Sequence, residues 1–502
     1  MIKDPAITGA LARGTVVNFL GVIAKLMLPV FYIAITRLYG PAVFGVYLLA
    51  NTVIELAISF TFSGFQNGVI LFTARHAHDP AERPQVYQVL ANTILVVLAL
   101  TGLAIVLAFT AGPSFLEARY GREGLVEAVQ IMALTLPFLA VPRIVVGATR
   151  GLMIMRYDLY LLGLATPMAL LAVACSLYLV DSSVRGLAWA YFASNAAVSV
   201  LAVAVFRRHF SLRELRAAFR PFRFHRPLVI FSIPQGLNMT LVYYMSGISL
   251  LFLGAAEISR TTLAFFGTAA ELTRQVRQIR IAFSNSFAPV ISRLHQEGRL
   301  PELADHYTTL TRWVTILTVP VLLVILSLKE PLLLAFHPTY VWDSDFLYLL
   351  GLGAFLGCAF GLSANVIAMT GLAGLNLANS VFMAALAFGF NWLLIPPWGL
   401  WGAAAATLIT TAVSVGAKSV QIWLLYRIRI RWRRAWKPFL AGASGCAVLG
   451  LAQLLPVSAA IRPGLTAALS LGAYVLVLVL LRPDPEDRRL VRGLLRGRKE
   501  SP

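Results

Sequence analysis

Charged residues are scarce in this sequence. Only 13% of its 502 residues are Asp, Glu, Lys or Arg, whereas 59% are hydrophobic and the mean hydropathy is +0.78. An ordinary soluble domain has about 25% charged residues, which it needs to cover its surface. The composition therefore excludes a soluble globular protein.

Cysteines are also few, and none has the spacing of a functional site. The chain has 3 cysteines, Cys175, Cys358 and Cys446, and each falls inside an apolar segment. Disulfide frameworks and zinc sites need cysteines at short, regular spacings, which are missing here. We interpret the three as small apolar residues and expect no metal site, no catalytic residue and no cofactor.

Long apolar runs recur along the chain, and each is long enough to cross a bilayer core of about 30 Å as a helix. A run such as 90–111 does not alternate between apolar and polar residues, which argues against a transmembrane barrel. We predict an all-α polytopic membrane protein of about 14 transmembrane helices. The predicted spans are 14–36, 44–73, 86–110, 125–149, 159–180, 186–206, 228–254, 261–292, 311–328, 346–370, 373–395, 399–426, 438–456 and 464–481.

The net charge of +20 is distributed unevenly over the predicted loops. Most Lys and Arg residues fall on alternate connections and on the tail, which by the positive-inside bias places both termini in the cytoplasm. The first apolar segment is too long for a cleavable secretory signal. The loops are too short to hold a nucleic-acid site, so we expect membrane insertion rather than nucleic-acid binding to explain the charge.

The predicted spans form two similar sets of six. Residues 1–206 make an N-terminal lobe and 228–426 a C-terminal lobe, each with the tetrapeptide Ala-Val-Ser-Val, at 197–200 and 412–415. The first and seventh spans are six spans apart, so equivalent helices of the two lobes run in the same direction. The lobes would then be related by a pseudo-two-fold axis normal to the membrane. Spans 13 and 14 (427–482) would be two extra helices that belong to neither lobe.

Two basic segments lie outside the lobes. The linker at 207–227 and the tail at 483–502 both repeat leucine or phenylalanine at three- or four-residue spacing, with arginine between. This pattern predicts amphipathic helices in contact with anionic lipids of the cytoplasmic leaflet.

The eighth predicted span carries a charged stripe. Glu271, Arg274, Arg277 and Arg280 follow at every third position in an otherwise apolar segment. Three arginines at bilayer depth cost about 8 to 10 kcal/mol unless they face protein or water. Steps of three residues keep them on one slowly drifting face of the helix. We therefore expect a basic face that binds an anion.

Other charges in predicted spans allow two interpretations. Lys25 and Glu55 would lie at similar depths, about 16 to 18 Å from the ends of their spans. They could form a structural ion pair, or a cation-sensitive acid beside a substrate-binding lysine. Glu271 could likewise couple H⁺ or Na⁺, or neutralise part of the stripe. Arg143 and Lys418 are expected to extend towards the lipid headgroups.

Four segments carry a family resemblance. They are TRLYGPAVFGVY at 36–47, Gly64-Phe-Gln-Asn-Gly at 64–68, the segment from Ala264 to Gly298, and NWLLIPPWGLWGAAAAT at 391–407. In this order they resemble polysaccharide (Wzx-type) flippases of the multidrug, oligosaccharidyl-lipid and polysaccharide exporter superfamily.

The resemblance implies a two-lobed transporter with a central cavity, located in the bacterial cytoplasmic membrane. Such a protein moves a polyprenyl-diphosphate-linked saccharide to the outer leaflet by alternating access, and it is not an enzyme. The diphosphate would bind Arg274, Arg277, Arg280 and Lys25, because guanidinium groups match phosphate oxygens. Phe265, Phe266, Tyr243 and Tyr244 could stack on sugars or simply pack in the bundle.

Three other functions remain as alternatives. A multidrug cation exporter of the same superfamily would share the fold but would need an acidic or aromatic cavity. A membrane enzyme acting on lipid-linked glycans would need catalytic groups, and the short outer loops lack an acid/base pattern. A voltage sensor also repeats arginine at every third position, but only one span has this pattern. The sequence does not indicate an oligomeric state, and we expect a monomer.

Overall fold

The structure, a computed structural model, describes residues 27–76, 82–220, 223–256, 258–340, 344–370, 372–454, 456–458 and 461–481. These residues form helices and contain no strand, which confirms the predicted all-α fold. Nine helices in the described ranges are long and apolar enough to cross a membrane, or ten if one bent pair counts as a span. Lys25 and the basic tail at 483–502 lie outside the described residues.

Eighteen helical elements follow one another in the described chain. They are α1 (Met27–Tyr39), α2 (Pro41–His76), α3 (Arg83–Phe109), α4 (Ala111–Tyr120), α5 (Leu125–Ala133), α6 (Leu136–Gly151), α7 (Asp158–Tyr178), α8 (Val184–His209), α9 (Leu212–Ala217), α10 (Arg226–Ala255), α11 (Arg260–Gln296), α12 (Leu300–Ser327), α13 (Lys329–Phe336), α14 (Phe346–Ala359), α15 (Leu362–Met369), α16 (Ala373–Tyr426), α17 (Trp432–Ala452) and α18 (Arg462–Leu480).

Two predicted spans meet within α16. Its helical path is interrupted at Gly399, whose φ of 51° and ψ of −120° are not helical. Glycine tolerates this left-handed backbone because it has no Cβ, and Pro396 and Pro397 precede it where the chain must turn. Helix α16 is therefore two arms, 373–398 and 400–426, joined at the turn predicted between spans eleven and twelve.

Two elements differ from their predicted form. The fourth predicted span is bent by 43° between α5 and α6, where a proline occupies the first turn of α6. In its described residues, the linker between α8 and α10 forms the six-residue helix α9, and Leu212, Leu215 and Phe219 pack partly buried against the hydrophobic core. These three apolar residues therefore contact protein in the structure.

Helices α2 and α10 pack antiparallel along their whole length. At their crossing, a Cβ built on Gly64 would lie 1.9 Å from the carbonyl oxygen of Ser232 and 2.6 Å from the amide nitrogen of Gly236. Only glycine at position 64 permits this backbone approach, as is typical of small residues between membrane helices. The first helix of the predicted C-terminal lobe is thereby fixed to the N-terminal lobe.

One end of the bundle brings several helix termini together, and we call it the Gly399 end. A Cβ on Gly45, near the start of α2, would lie 2.2 Å from the carbonyl oxygen of Arg260, where α11 begins. The second arm of α16 reaches the same level, since the hydroxyls of Ser249 and Thr407 lie 3.1 Å apart. In the topology predicted from the charge distribution, this end faces the outer side of the membrane.

Arg122 links the two lobes at the Gly399 end. Its Nε donates a hydrogen bond to the carbonyl oxygen of Gly254 at 2.9 Å. Its Nη2 donates to the carbonyl oxygens of Ala256 at 3.1 Å and Ile258 at 2.9 Å. Desolvation lowers the pKa of Arg122 from its ordinary value, and Arg260 lowers it further. Two of the accepting carbonyls, Gly254 and Ala256, belong to the end and cap of α10, where a helix terminus leaves carbonyls without partners, and Ile258 lies in the connection to α11.

We predict that Gly64→Ala destabilises the protein, because a methyl group at this crossing forces α2 and α10 apart. Overpacking of this kind costs about 1 to 3 kcal/mol, and the opposing atoms here are backbone. Thermal unfolding in detergent should show a lower melting temperature. Gly102→Ala is the control, since no atom lies within 4 Å of a Cβ at that position. Equal melting temperatures for the two variants would contradict the close packing.

Arg122→Ala should also lower the melting temperature, by an amount that corresponds to about 1 to 3 kcal/mol, because three carbonyls lose their donor. The matched control is Arg119→Ala, a change at an exposed arginine on the neighbouring helix α4. If both variants melted at the wild-type temperature, the three hydrogen bonds of Arg122 would not contribute to the stability of the protein.

Candidate functional site

A cavity of about 540 Å³ lies within the predicted C-terminal lobe, and helices α1 and α2 of the predicted N-terminal lobe border it. Its lining comes mostly from α10, α11, α14, α15 and both arms of α16, with Tyr32, Leu48, Asn51 and Thr52 contributed by α1 and α2. The volume is within the range of about 300 to 1,000 Å³ that is usual for ligand sites. A cavity of this size among membrane-spanning helices is a suitable place for a transported molecule.

Helix α11 places the predicted stripe along this cavity. The helix begins after Ser259, whose hydroxyl accepts a hydrogen bond from the amide of Thr262 at 3.1 Å. From there it continues without a break to Gln296, so its three-residue spacing is preserved in space. Glu271, Arg274, Arg277 and Arg280 all line the cavity.

Glu271 is bonded within its own helix. One carboxylate oxygen lies 3.1 Å from Nη1 of Arg274, and the other accepts a hydrogen bond from Gln275. The carboxylate is 6% exposed, so this pairing limits the cost of its burial. Arg274 also donates to the carbonyl oxygen of Ser246 on α10 at 3.3 Å. The first arginine of the stripe is therefore already partly engaged by the protein.

Arg277 and Arg280 differ from Arg274, since no carboxylate of the described residues lies within ion-pair distance of either, although Glu271 attracts Arg277 at longer range. The Nε of Arg280 is buried without a hydrogen-bond partner. Gly361 makes room for this side chain, because a Cβ there would lie 3.1 Å from Cδ and Nε of Arg280. Buried donors without partners are costly, so a ligand with acceptor oxygens would stabilise this arrangement.

Lys418 also lines the cavity, although we expected it to extend towards the headgroups. It lies on the second arm of α16 and forms no ion pair with an acidic residue of the described chain, and Arg280 is close enough to interact with it electrostatically. The depth could have been inferred from helix geometry. Lys418 is about 29 Å along its helix from Gly399 and Arg280 about 30 Å from Arg260, since each residue rises 1.5 Å. Lys418 faces the cavity because of how α16 packs against its neighbouring helices, which the sequence of α16 alone does not show.

The charges of the cavity lining do not balance. Arg274, Arg277, Arg280 and Lys418 are the cations, and Glu271 is the carboxylate that accompanies them. A cleft lined by one sign of charge in a low-dielectric surrounding raises the local concentration of the opposite ion. The geometry therefore favours an anionic ligand.

The family follows from comparison with known proteins. Residues 34–343 match the family described as polysaccharide biosynthesis protein, which is more than half of the chain. The chain belongs to this family. A comparison with curated proteins found no match. The family assignment confirms the resemblance inferred from the sequence motifs.

Solved structures show the fold of this family member. The lipid II flippase MurJ in an inward closed conformation matches with a TM-score of 0.72 at 9% identity, over 95% of this chain and 99% of that one. An inward-facing multidrug resistance MATE transporter of the MOP superfamily matches with 0.61 at 15% identity, over 81% and 98%. A MOP superfamily transporter from Pyrococcus furiosus matches with 0.60 at 15% identity, over 84% and 96%. The family member has the MOP superfamily fold.

Glu55 is not among the residues that line the cavity and is paired with an unexpected partner. One of its oxygens is 3.6 Å from Nη2 of Arg143, and the two side chains are 30% and 21% exposed. Arg143 is therefore not extended towards the headgroups in this structure. Its proximity to Glu55 depends on how α6 packs against α2, which the sequence does not reveal. The predicted partner Lys25 lies outside the described residues, so its proposed role in binding stays a prediction.

The four aromatic residues considered for sugar stacking occupy different surroundings. Phe265 is fully buried between Tyr340 and Phe346, with ring centroids 5.3 and 5.5 Å away. Phe266 stacks on Phe346 at 5.8 Å and also lines the cavity. Tyr243 and Tyr244 are not among the cavity residues. Of the four, Phe266 is the one positioned to contact a ligand.

Proposed function

We propose that this protein is a membrane transporter that moves a polyprenyl-diphosphate-linked oligosaccharide from the cytoplasmic to the outer leaflet by alternating access. The observation that carries the proposal is the group of cations Arg277, Arg280 and Lys418, which line the cavity without forming ion pairs with acidic residues of the described chain. Membership of the polysaccharide biosynthesis protein family supports a substrate of this class.

A diphosphate fits this group for chemical reasons. Its oxygens accept paired hydrogen bonds from a guanidinium, which presents a planar fork of donors. Lys418 adds a compact charge on the opposite helix, so the headgroup would be held between α11 and α16. The lipid tail would stay in the bilayer while the headgroup and glycan cross between the lobes.

Two alternatives fit the cavity less well. An organic cation would meet four cations and one carboxylate, and that carboxylate is already bonded to Arg274 and Gln275. An enzyme acting on lipid-linked glycans would need an acid and a base that are free to exchange protons. Glu271 is the acidic residue that lines the cavity, and it has no second carboxylate beside it. We infer a non-enzymatic transporter.

The direction of transport has a plausible driving force. An inside-negative membrane potential favours outward movement of negative charge by roughly 2.3 kcal/mol per charge per 100 mV. In this proposal the protein lies in the bacterial cytoplasmic membrane with both termini inside. Coupling to H⁺ or Na⁺ is the alternative, and Glu55 and Glu271 are the residues that could provide it.

We predict that Arg277→Ala and Arg280→Ala each reduce translocation by about ten- to a hundredfold, because each removes a charged hydrogen-bond donor worth about 1.5 to 3 kcal/mol. Arg274→Ala should have a smaller effect, since Arg274 is already paired with Glu271. The measurement is translocation of a fluorescent polyprenyl-diphosphate trisaccharide in proteoliposomes.

The control is Arg185→Ala, which removes an arginine paired with Glu127 far from the cavity. All variants must insert and melt normally. Unchanged transport by Arg277→Ala and Arg280→Ala would make the stripe structural. If the intact protein exported an organic cation and did not move the lipid, the drug-exporter alternative would replace this proposal.

We predict that Glu55→Gln leaves the ion-gradient dependence of transport intact and lowers the melting temperature, because Glu55 neutralises Arg143. Transport is compared with and without H⁺ or Na⁺ gradients at a fixed membrane potential. Glu127→Gln is the control for loss of a surface ion pair. Loss of gradient dependence at an unchanged melting temperature would instead assign ion coupling to Glu55.

A further inference from the structure

The lining of the cavity changes from cationic to uncharged towards the Gly399 end. Asn391 and Thr407 are each eight residues from Gly399, one on either arm of α16, and so lie at the same depth, about 12 Å from the turn. Ser249 joins them through its 3.1 Å contact with the hydroxyl of Thr407. Thr410 follows one turn deeper. We call these four residues the neutral pocket, and all four line the cavity.

The neutral pocket is separated from the deepest cations, Arg280 and Lys418, whereas Arg274 lies nearer because it bonds to Ser246, three residues from Ser249. Lys418 is eleven residues beyond Thr407 on the same arm, which is about 16 Å along the helix. Arg280 is close to Lys418 in space, so the two mark the deep, cationic part of the cavity. A ligand that touched both parts would need an anionic group at one end and an uncharged polar group some distance away.

Two side chains of the neutral pocket have hydrogen-bonding capacity that the protein leaves unused. Asn391 is 1% exposed, and its Nδ2 donates to the carbonyl oxygen of Ala387 at 2.7 Å, but its Oδ1 has no partner. The hydroxyl of Thr410 is also buried without a partner, in a residue that is 8% exposed. Buried polar atoms are normally satisfied, and both of these residues belong to the cavity lining.

The two atoms without partners, Asn391 Oδ1 and the Thr410 hydroxyl oxygen, indicate which chemical groups a ligand would need in order to bind them. A carbonyl-type oxygen such as Asn391 Oδ1 only accepts hydrogen bonds, so it requires an O–H or N–H donor. The pocket contains no charged side chain to balance a carboxylate or an amine. Hydroxyl and acetamido groups are uncharged donors of the required kind, and both are common on sugar rings.

We propose that the neutral pocket binds an uncharged sugar ring of the transported glycan through Asn391 and Thr410, while the diphosphate lies on the deep cations. This inference rests on the proposed function and adds the part of the substrate that is recognised. Thr410 is eight residues from Lys418, about 12 Å along α16, so a glycan attached to a diphosphate on the deep cations extends towards the pocket.

The test compares the binding of two lipids to the full-length protein in nanodiscs. One is polyprenyl diphosphate without sugar, and the other is polyprenyl diphosphate carrying a neutral trisaccharide with an acetamido group. The intact protein should bind the trisaccharide lipid at least about tenfold more tightly. Asn391→Leu and Thr410→Val should lose this preference while their affinity for the sugar-free lipid stays unchanged.

The control is Thr101→Val, since the Thr101 hydroxyl is buried but bonded to its own helix at Val97, away from the cavity. Thr410→Val preserves side-chain shape, so it remains informative if Asn391→Leu fails to fold. Should both variants fold and keep the full preference for the trisaccharide lipid, the pocket holds water only and the inference is wrong.

The same experiment separates this inference from the proposed function. If Arg277→Ala left the affinity for the sugar-free lipid unchanged, the diphosphate site would be refuted, although a glycan preference lost in Asn391→Leu would still support the neutral pocket. An intact protein that bound neither lipid would overturn both.

Discussion

The structure depends on keeping cationic side chains inside an apolar helical bundle. Guanidinium groups at bilayer depth are tolerated only where they face protein, water or a charged ligand. Helix α11 meets this requirement by placing its charged face on the cavity and its apolar face against the core, where Leu263, Phe265 and Val276 are buried. The cavity is therefore the condition under which this helix can exist in a membrane.

The surrounding helices hold the cavity in place by close backbone contact. Gly64 fixes α2 against α10, and Gly45 fixes the start of α2 against the start of α11. Arg122 adds three hydrogen bonds at the Gly399 end. Below the Gly399 end, α11 faces the second arm of α16, and the cations of the two elements converge on the space between them.

Charge and hydrogen-bonding capacity are segregated within one cavity. The deep part holds Arg277, Arg280 and Lys418, and the part near Gly399 holds Asn391 and Thr410 with unused acceptors. A lipid-linked glycan has the same division, with an anionic linkage at one end and neutral rings at the other. The correspondence gives a physical account of how one site could hold a headgroup of mixed chemistry.

Periodicity and composition were enough to predict the all-α fold, most helix positions, the turn at Gly399 and the basic face of α11. These properties are local, because each depends on the hydropathy and spacing of neighbouring residues. Lys418 and the pair of Arg143 and Glu55 could not be predicted in this way, since each depends on which helices are neighbours. The neutral pocket likewise combines residues from α10 and both arms of α16. The sequence by itself determined which helices carry charge, whereas only the tertiary structure decided which side chains share a cavity, because that depends on packing between segments far apart in the chain.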